Sequence, residues 1–146
     1  MKSKVLGAHE GERTIVLILD PGDEPITLLT RFAAEHNIRA ARFSAIGAFS
    51  EVVLGYFDME RKTYVKSAIA EQVEVLSLLG DIAIESGKPK VHAHAVLGKR
   101  DCSAHGGHLL SATVKPTLEV MLIESRRELA KTFRPEFGLA LIDVDA

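Results

Sequence analysis

The chain has 146 residues, 47% of them hydrophobic and 26% charged, and its 18 Lys and Arg face 20 Asp and Glu for a formal net charge of −2. This composition excludes a disordered chain, and no run approaches the roughly 20 apolar residues of a membrane helix. The charge balance counts against a protein built mainly to neutralise nucleic-acid phosphates.

Such a length reads as one domain over residues 1–146, large enough to bury about two-thirds of its unfolded surface. Met1-Lys2-Ser3-Lys4 is basic, but the apolar core of a secretory signal does not follow it. The single cysteine, Cys102, has no internal partner for a disulfide. Both features predict a cytoplasmic protein.

Residues 3–10 and 13–19 read as strands joined at Gly11-Glu12, the second rich in β-branched side chains. Asp20-Pro21-Gly22-Asp23 ends that pattern and starts a helix over about 24–37, with Asp23 as the candidate N-cap and Pro25 in the first turn. Leu29, Phe32, Ala33 and His36 share one side of it, and Asn37 suits its C-terminal end. Short strands follow at 39–48, 50–58 and 62–70, the last folding back across Met59-Glu60-Arg61. A long apolar segment at 73–85 turns at Ser86-Gly87-Lys88-Pro89 into 91–97. After a polar loop come strands at 108–114 and 118–124, separated by a turn at Lys115-Pro116-Thr117. Residues 126–133 read as a short C-terminal helix and 138–144 as a last strand. The pattern predicts an α+β fold, a largely antiparallel β-sheet with one main helix and a short C-terminal helix. A doubly wound parallel sheet needs a helix between successive strands, and the chain after residue 39 leaves no room for them.

Four of the six histidines fall between positions 92 and 108. His92 and His94 lie in an alternating apolar run, which puts both imidazoles on one face of a strand with Cα atoms roughly 6.6 Å apart. From there two rings converge on one ion at about 2.0–2.1 Å. His108 opens the next strand behind Gly106-Gly107, a pair that lets the backbone turn tightly into it. Three imidazoles with an open fourth position resemble a catalytic rather than a structural zinc site. By spacing alone, ordinary sheet histidines bonded to backbone or solvent fit equally well.

Other groups carry weaker signals. His105 sits in a polar loop as a turn residue or an outer partner of the cluster, and His9 and His36 stand alone. Cys102 lies in the same loop with Asp101 adjacent, which disfavours a thiolate, and reads as an incidental thiol. On a regular strand Glu74 shares a face with Leu76 and Leu78, which predicts a partly buried carboxylate. It is a candidate base or hydrogen-bond partner for a ligand histidine, with a sheet-edge carboxylate as the alternative. The chain carries no phosphate-binding glycine loop, no Gly-x-Ser-x-Gly elbow and no row of aromatics for stacking bases.

Several segments together resemble the plants-and-prokaryotes conserved (PPC) domain. They are Ser44-Ala45-Ile46-Gly47-Ala48-Phe49-Ser50, Glu74-Val75-Leu76-Ser77-Leu78-Leu79-Gly80, Val91-His92-Ala93-His94 with Gly106-Gly107-His108-Leu109, and Thr117-Leu118-Glu119-Val120. The resemblance implies an antiparallel α+β fold, a homotrimer, and a metal set at His92, His94 and His108 that takes zinc or a similar divalent transition metal. The family also carries a DNA-binding label. Plant relatives add AT-hooks, but this chain has no Arg-Gly-Arg-Pro run, and it has Gln72-Val73 where the plant version has Arg-Phe. The expectation is therefore a trimeric metal-binding protein. Two alternatives stay open, a metal-dependent enzyme acting on a small molecule and a DNA-associated module. Duplex DNA is expected to bind weakly and without sequence selectivity, through clusters such as Lys88, Lys90 and Lys99-Arg100 gathered by trimerisation.

Overall fold

The computed structural model describes residues 1–145. Strands β1 (Lys2–His9) and β2 (Glu12–Leu19) form a hairpin whose turn residues Glu10 and Gly11 both have positive φ, 48° and 86°. That is the geometry that matches the twist of paired strands. Helix α1 (Pro25–Glu35) follows. Its cap is Glu24 rather than the expected Asp23: the Glu24 carboxylate accepts from the backbone N–H of Ile26 and Thr27. Asp23 is engaged elsewhere, accepting from Asp20 N at 2.9 Å. At the other end Asn37 takes a left-handed φ of 53°, the conformation in which asparagine commonly stops a helix.

The rest is strand: β3 (Ala41–Asp58), β4 (Thr63–Ile69), β5 (Val73–Glu85), β6 (Lys88–Gly98), β7 (Ala104–Glu124), β8 (Ala130–Arg134) and β9 (Leu139–Asp143). They join one sheet in the order β1-β2-β7-β3-β5-β8-β9, with β4 on β3 and β6 bridging β5 and β7. Strands β3, β5, β6 and β7 thus pair in a closed circuit. All pairings are antiparallel except β5 with β8.

One face of this circuit is buried. Phe43, Ala45, Leu78, Ala93, Ala95, Leu97, Leu118, Val120 and Leu122 point into a core with Leu29, Phe32 and Ala33 of α1, which lies against β6 and β7. Every second residue of β6 is inside, so the intervening His92 and His94 lie on the opposite face. The small Ala93 and Ala95 give the helix its close approach. No helix of the described residues is long and apolar enough to cross a membrane.

Three further sequence expectations change. The predicted C-terminal helix over 126–133 is not formed, and residues 130–134 are strand β8. Some eight residues are too few to hold a helix without packing. Here the Leu129 carbonyl accepts from Ile84 N at 2.7 Å, Ala130 pairs with Ile84, and β9 completes a hairpin, so sheet contacts prevail over helix propensity. The segments at 39–48 and 50–58 are one strand. So are 108–114 and 118–124, since β7 runs through Lys115-Pro116-Thr117 with a cis Lys115–Pro116 bond. Between the pairs Phe49↔Val114 and Gly47↔Leu118 the β7 side has three residues where β3 has one. Pro116 sits in that bulge, where a missing N–H breaks no ladder bond.

Candidate metal centre

The turn between β5 and β6 is the two-residue Ser86-Gly87, both at positive φ (50° and 78°). It sets the register Glu85↔Lys88, and counting back along the hairpin places Asp81 opposite His92 and Leu79 opposite His94. Next to β6 on the other side, β7 places His108 opposite His94. Three strands therefore deliver three imidazoles and one carboxylate to one face. One ligand nitrogen from each of His92, His94 and His108 lies within 4.8 Å of the others.

Asp81 is held below the usual carboxylate range. Burial opposes this, but the hydrogen bond from His92 and the charge of Lys131 outweigh it. An ionised carboxylate only accepts, so His92 Nδ1–H donates to Asp81 Oδ2 at 3.1 Å. The other ring nitrogen of His92, Nε2, lies 3.2 Å from Nε2 of His94. Two nitrogens bound tetrahedrally to one ion at about 2.0–2.1 Å stand roughly 3.3–3.4 Å apart, so the pair already has ligand spacing.

His108 is half-buried. Its ring stacks on Tyr64 with centroids 4.7 Å apart, and its Nδ1 is buried without a hydrogen-bond partner among the described residues. Gly55 makes room for the stack, because a Cβ there would lie 2.7 Å from the Tyr64 ring. Burial, then the neighbouring His92 and His94, then Lys131 and Lys90, push the His108 imidazole down to about 4, and burial and His92 also lower His94. Both rings are neutral at pH 7, the state in which imidazole ligates a metal.

A depressed folded pKa for His108 has a measurable consequence. Below about 6.5 the unfolded ring takes a proton that the folded ring refuses until about 4, so the unfolded state binds more protons across that window. The metal-free protein is expected to lose stability as pH falls from about 6.5 towards 4. Urea midpoints at pH 7 and pH 4.5 check this. The drop should be smaller in His108→Phe, and an equal drop in both proteins would remove His108 as its source.

The other sequence candidates lie elsewhere. Glu74 is exposed, because an irregularity in β5 between Val75 and Ser77 breaks the alternation and leaves Glu74 and Leu76 outside while Leu78 is buried. It lines a groove with Glu71, Gln72, Gly98, Lys99 and Arg100, to which no histidine contributes. His105 pairs with Leu97 and is exposed, and Cys102 is a free, exposed loop thiol. His9 lies on the surface near Glu10, and His36 packs on Phe32 at a ring-centroid distance of 4.2 Å. The sequence reading missed Asp81, Tyr64 and Lys131. For Asp81 the signal was present: a two-residue turn at Ser86-Gly87 sets its register against His92.

The model of the Plants and Prokaryotes Conserved (PCC) domain matches residues 7–126. A metal-containing protein from Archaeoglobus fulgidus is 37% identical, with 97% of this chain and 96% of that one covered and a TM-score of 0.83. A plant- and prokaryote-conserved (PPC) protein from Pyrococcus horikoshii is 30% identical over 90% of this chain and 91% of its own, at a TM-score of 0.85. A protein from Bacteroides thetaiotaomicron, described as a candidate DNA-binding protein, is 26% identical over 96% of both chains, at a TM-score of 0.87. No curated protein matches the chain at a significant level.

Proposed function

The chain belongs to the Plants and Prokaryotes Conserved family, and from that premise we propose that it is a homotrimeric, cytoplasmic metal protein, one domain over residues 1–146. Its centre is a divalent transition ion, zinc or a close relative, held by His92, His94 and His108. The observation that carries this reading is the convergence of three ring nitrogens within 4.8 Å, with Asp81 orienting one ring. The kinship with a metal-containing archaeal protein agrees with it. Three imidazoles on a tetrahedral ion leave one coordination position open, and such a position polarises water or a small oxygen ligand. His94 is exposed in the single chain, which leaves the open position at the surface of the protomer. This is the support for the enzymatic form of the reading.

Self-association is supported by the face that carries the site. Leu79, opposite His94, is 60% exposed, and beyond Ser44 the exposed Met121 continues the patch over a groove of about 240 Å³. Contiguous exposed Leu and Met are characteristic of a surface that a partner covers. A DNA-centred role is supported less well. Lys99 lies 2.5 Å from Glu71, Arg126 is paired with Glu10, and Arg39 with Glu128, so part of the basic surface is neutralised within the chain, while Lys88, Lys90 and Arg100 form no ion pair among the described residues.

Elemental analysis combined with sedimentation equilibrium tests the proposal. The expected result is one divalent ion per 15.9 kDa chain and a mass of three chains at micromolar concentration. A monomer or dimer mass would overturn the trimer, and a metal-free protein after growth with zinc and re-addition would overturn the centre.

A further inference from the structure

We propose that Lys131, carried to the site by the C-terminal hairpin, is a positioning residue for the metal centre: it clamps the Asp81 carboxylate so that His92 keeps its Nδ1–H and aims Nε2 at His94. The inference rests on the metal reading above and assigns a role to a segment that lies beyond residues 7–126 matched by the family model.

The two oxygens of Asp81 are divided between two partners. Oδ2 accepts from His92 Nδ1 at 3.1 Å, and Oδ1, which is buried and accepts no aligned hydrogen bond among the described residues, forms an ion pair with Lys131 Nζ at 3.1 Å. The Lys131 side chain is only 6% exposed and that of Asp81 26%. An ammonium group this deep needs an anion beside it, because an unpaired buried charge is expensive. Asp81 supplies it. With Lys131 on the Oδ1 side and His92 on the Oδ2 side, each oxygen faces its own partner, which favours this rotation of the carboxylate.

The backbone holds Lys131 in place from both ends of the hairpin. At its start Leu129 O accepts from Ile84 N at 2.7 Å, and Ala130 pairs with Ile84 three residues along β5 from Asp81. Near its tip Lys62 Nζ donates to Pro135 O at 2.7 Å, tying the β8–β9 turn to the β3–β4 turn. Lys131 is thus delivered by a braced element rather than a free tail. A ligand histidine whose second nitrogen is anchored is held in one tautomer and one ring orientation, and loss of such an outer partner typically costs 10–100-fold in metal affinity. Without Lys131 the Asp81 carboxylate is free to rotate and hydrate, and His92 is free to exchange tautomers.

The test uses the full chain, stripped of metal, titrated with cobalt(II) against a competing chelator, while nitrogen NMR of the imidazoles reports the His92 tautomer in the metal-free protein. Wild type should bind cobalt(II) with His92 as the Nδ1–H form. Lys131→Met should weaken cobalt(II) about 10-fold and give a mixed tautomer, Asp81→Asn should do at least as much, and Lys131→Arg should restore both. A purely structural lysine would lower the unfolding midpoint without changing the tautomer of the folded protein. If Lys131→Met does not fold, Lys131→Gln makes the same comparison. Unchanged affinity and tautomer in the folded variant, with wild type binding cobalt(II), would overturn the positioning role alone. A wild type that takes up no cobalt(II) overturns the metal reading and this proposal with it.

Discussion

Replacing His94 with alanine is expected to remove most of the bound divalent metal, and replacing His92, His94 and His108 together to remove all of it. The single change deletes one of three ligands and leaves the 3.2 Å spacing of the His92–His94 pair without its second nitrogen. Loss of an outer partner already costs 10–100-fold in affinity, so loss of a ligand should exceed about 100-fold. Thermal unfolding provides a second measure. A ligand that binds only the native state stabilises it by about 4 kcal/mol at a concentration 1,000 times its Kd, so wild type should melt higher with metal than without. The His94→Ala protein should melt alike in both. His9→Ala is the control, since His9 is a surface residue far along the chain from the cluster, and it should keep full occupancy. Full metal content in the triple variant would falsify the assignment.

The part of this site visible in the sequence is the part set by local geometry. Alternation along 91–97 puts His92 and His94 on one face, and the returning strand pairs His94 with His108, although Gly106 and Gly107 are paired residues within β7 rather than a turn into it. Segment 73–85 has the bounds found for β5, because Ser86-Gly87 ends it sharply. What stayed hidden depends on irregular register. Glu74 looks inward only while β5 alternates, and the irregularity after Val75 reverses it. Lys131 sits in a run rich in helix formers, and pairing with β9, anchored on β5 at Ala130, makes that run a strand. Lys115-Pro116-Thr117 reads as a turn because proline normally ends a strand, yet at a bulge it does not. In each case a distant partner, not the local residues, decides the outcome.

That bulge leads to the largest stability effect expected here, Gly47→Ala. The three residues 115–117 that face one residue of β3 push Thr117 toward β3. A Cβ on residue 47 would lie 2.2 Å from the Thr117 carbonyl oxygen and 2.9 Å from Leu118 Cα. Both are backbone atoms, so no side chain can swing away, and the strands themselves must part. The φ of 152° adds strain for any L side chain. Overpacking of this kind costs about 1–3 kcal/mol and a residue in a sparsely populated conformation a similar amount. Together they amount to about 3 kcal/mol or more against a typical total of 5–15. Gly7→Ala is the matched control: nothing lies within 4 Å of its Cβ position and it is in an exposed strand, so its cost should stay within about 0.5 kcal/mol. Urea unfolding of the two variants separates local propensity from the clash, and a Gly47→Ala protein as stable as Gly7→Ala would show that the bulge yields. The same variant links the fold to the site. Strand β7 carries the bulge in its middle and His108 nearer its start, while β3 pairs with β7 on both sides of Gly47 and places Gly55 opposite His108. If β3 and β7 separate at Gly47, the Tyr64–His108 stack beside Gly55 loosens, and metal affinity should fall together with stability.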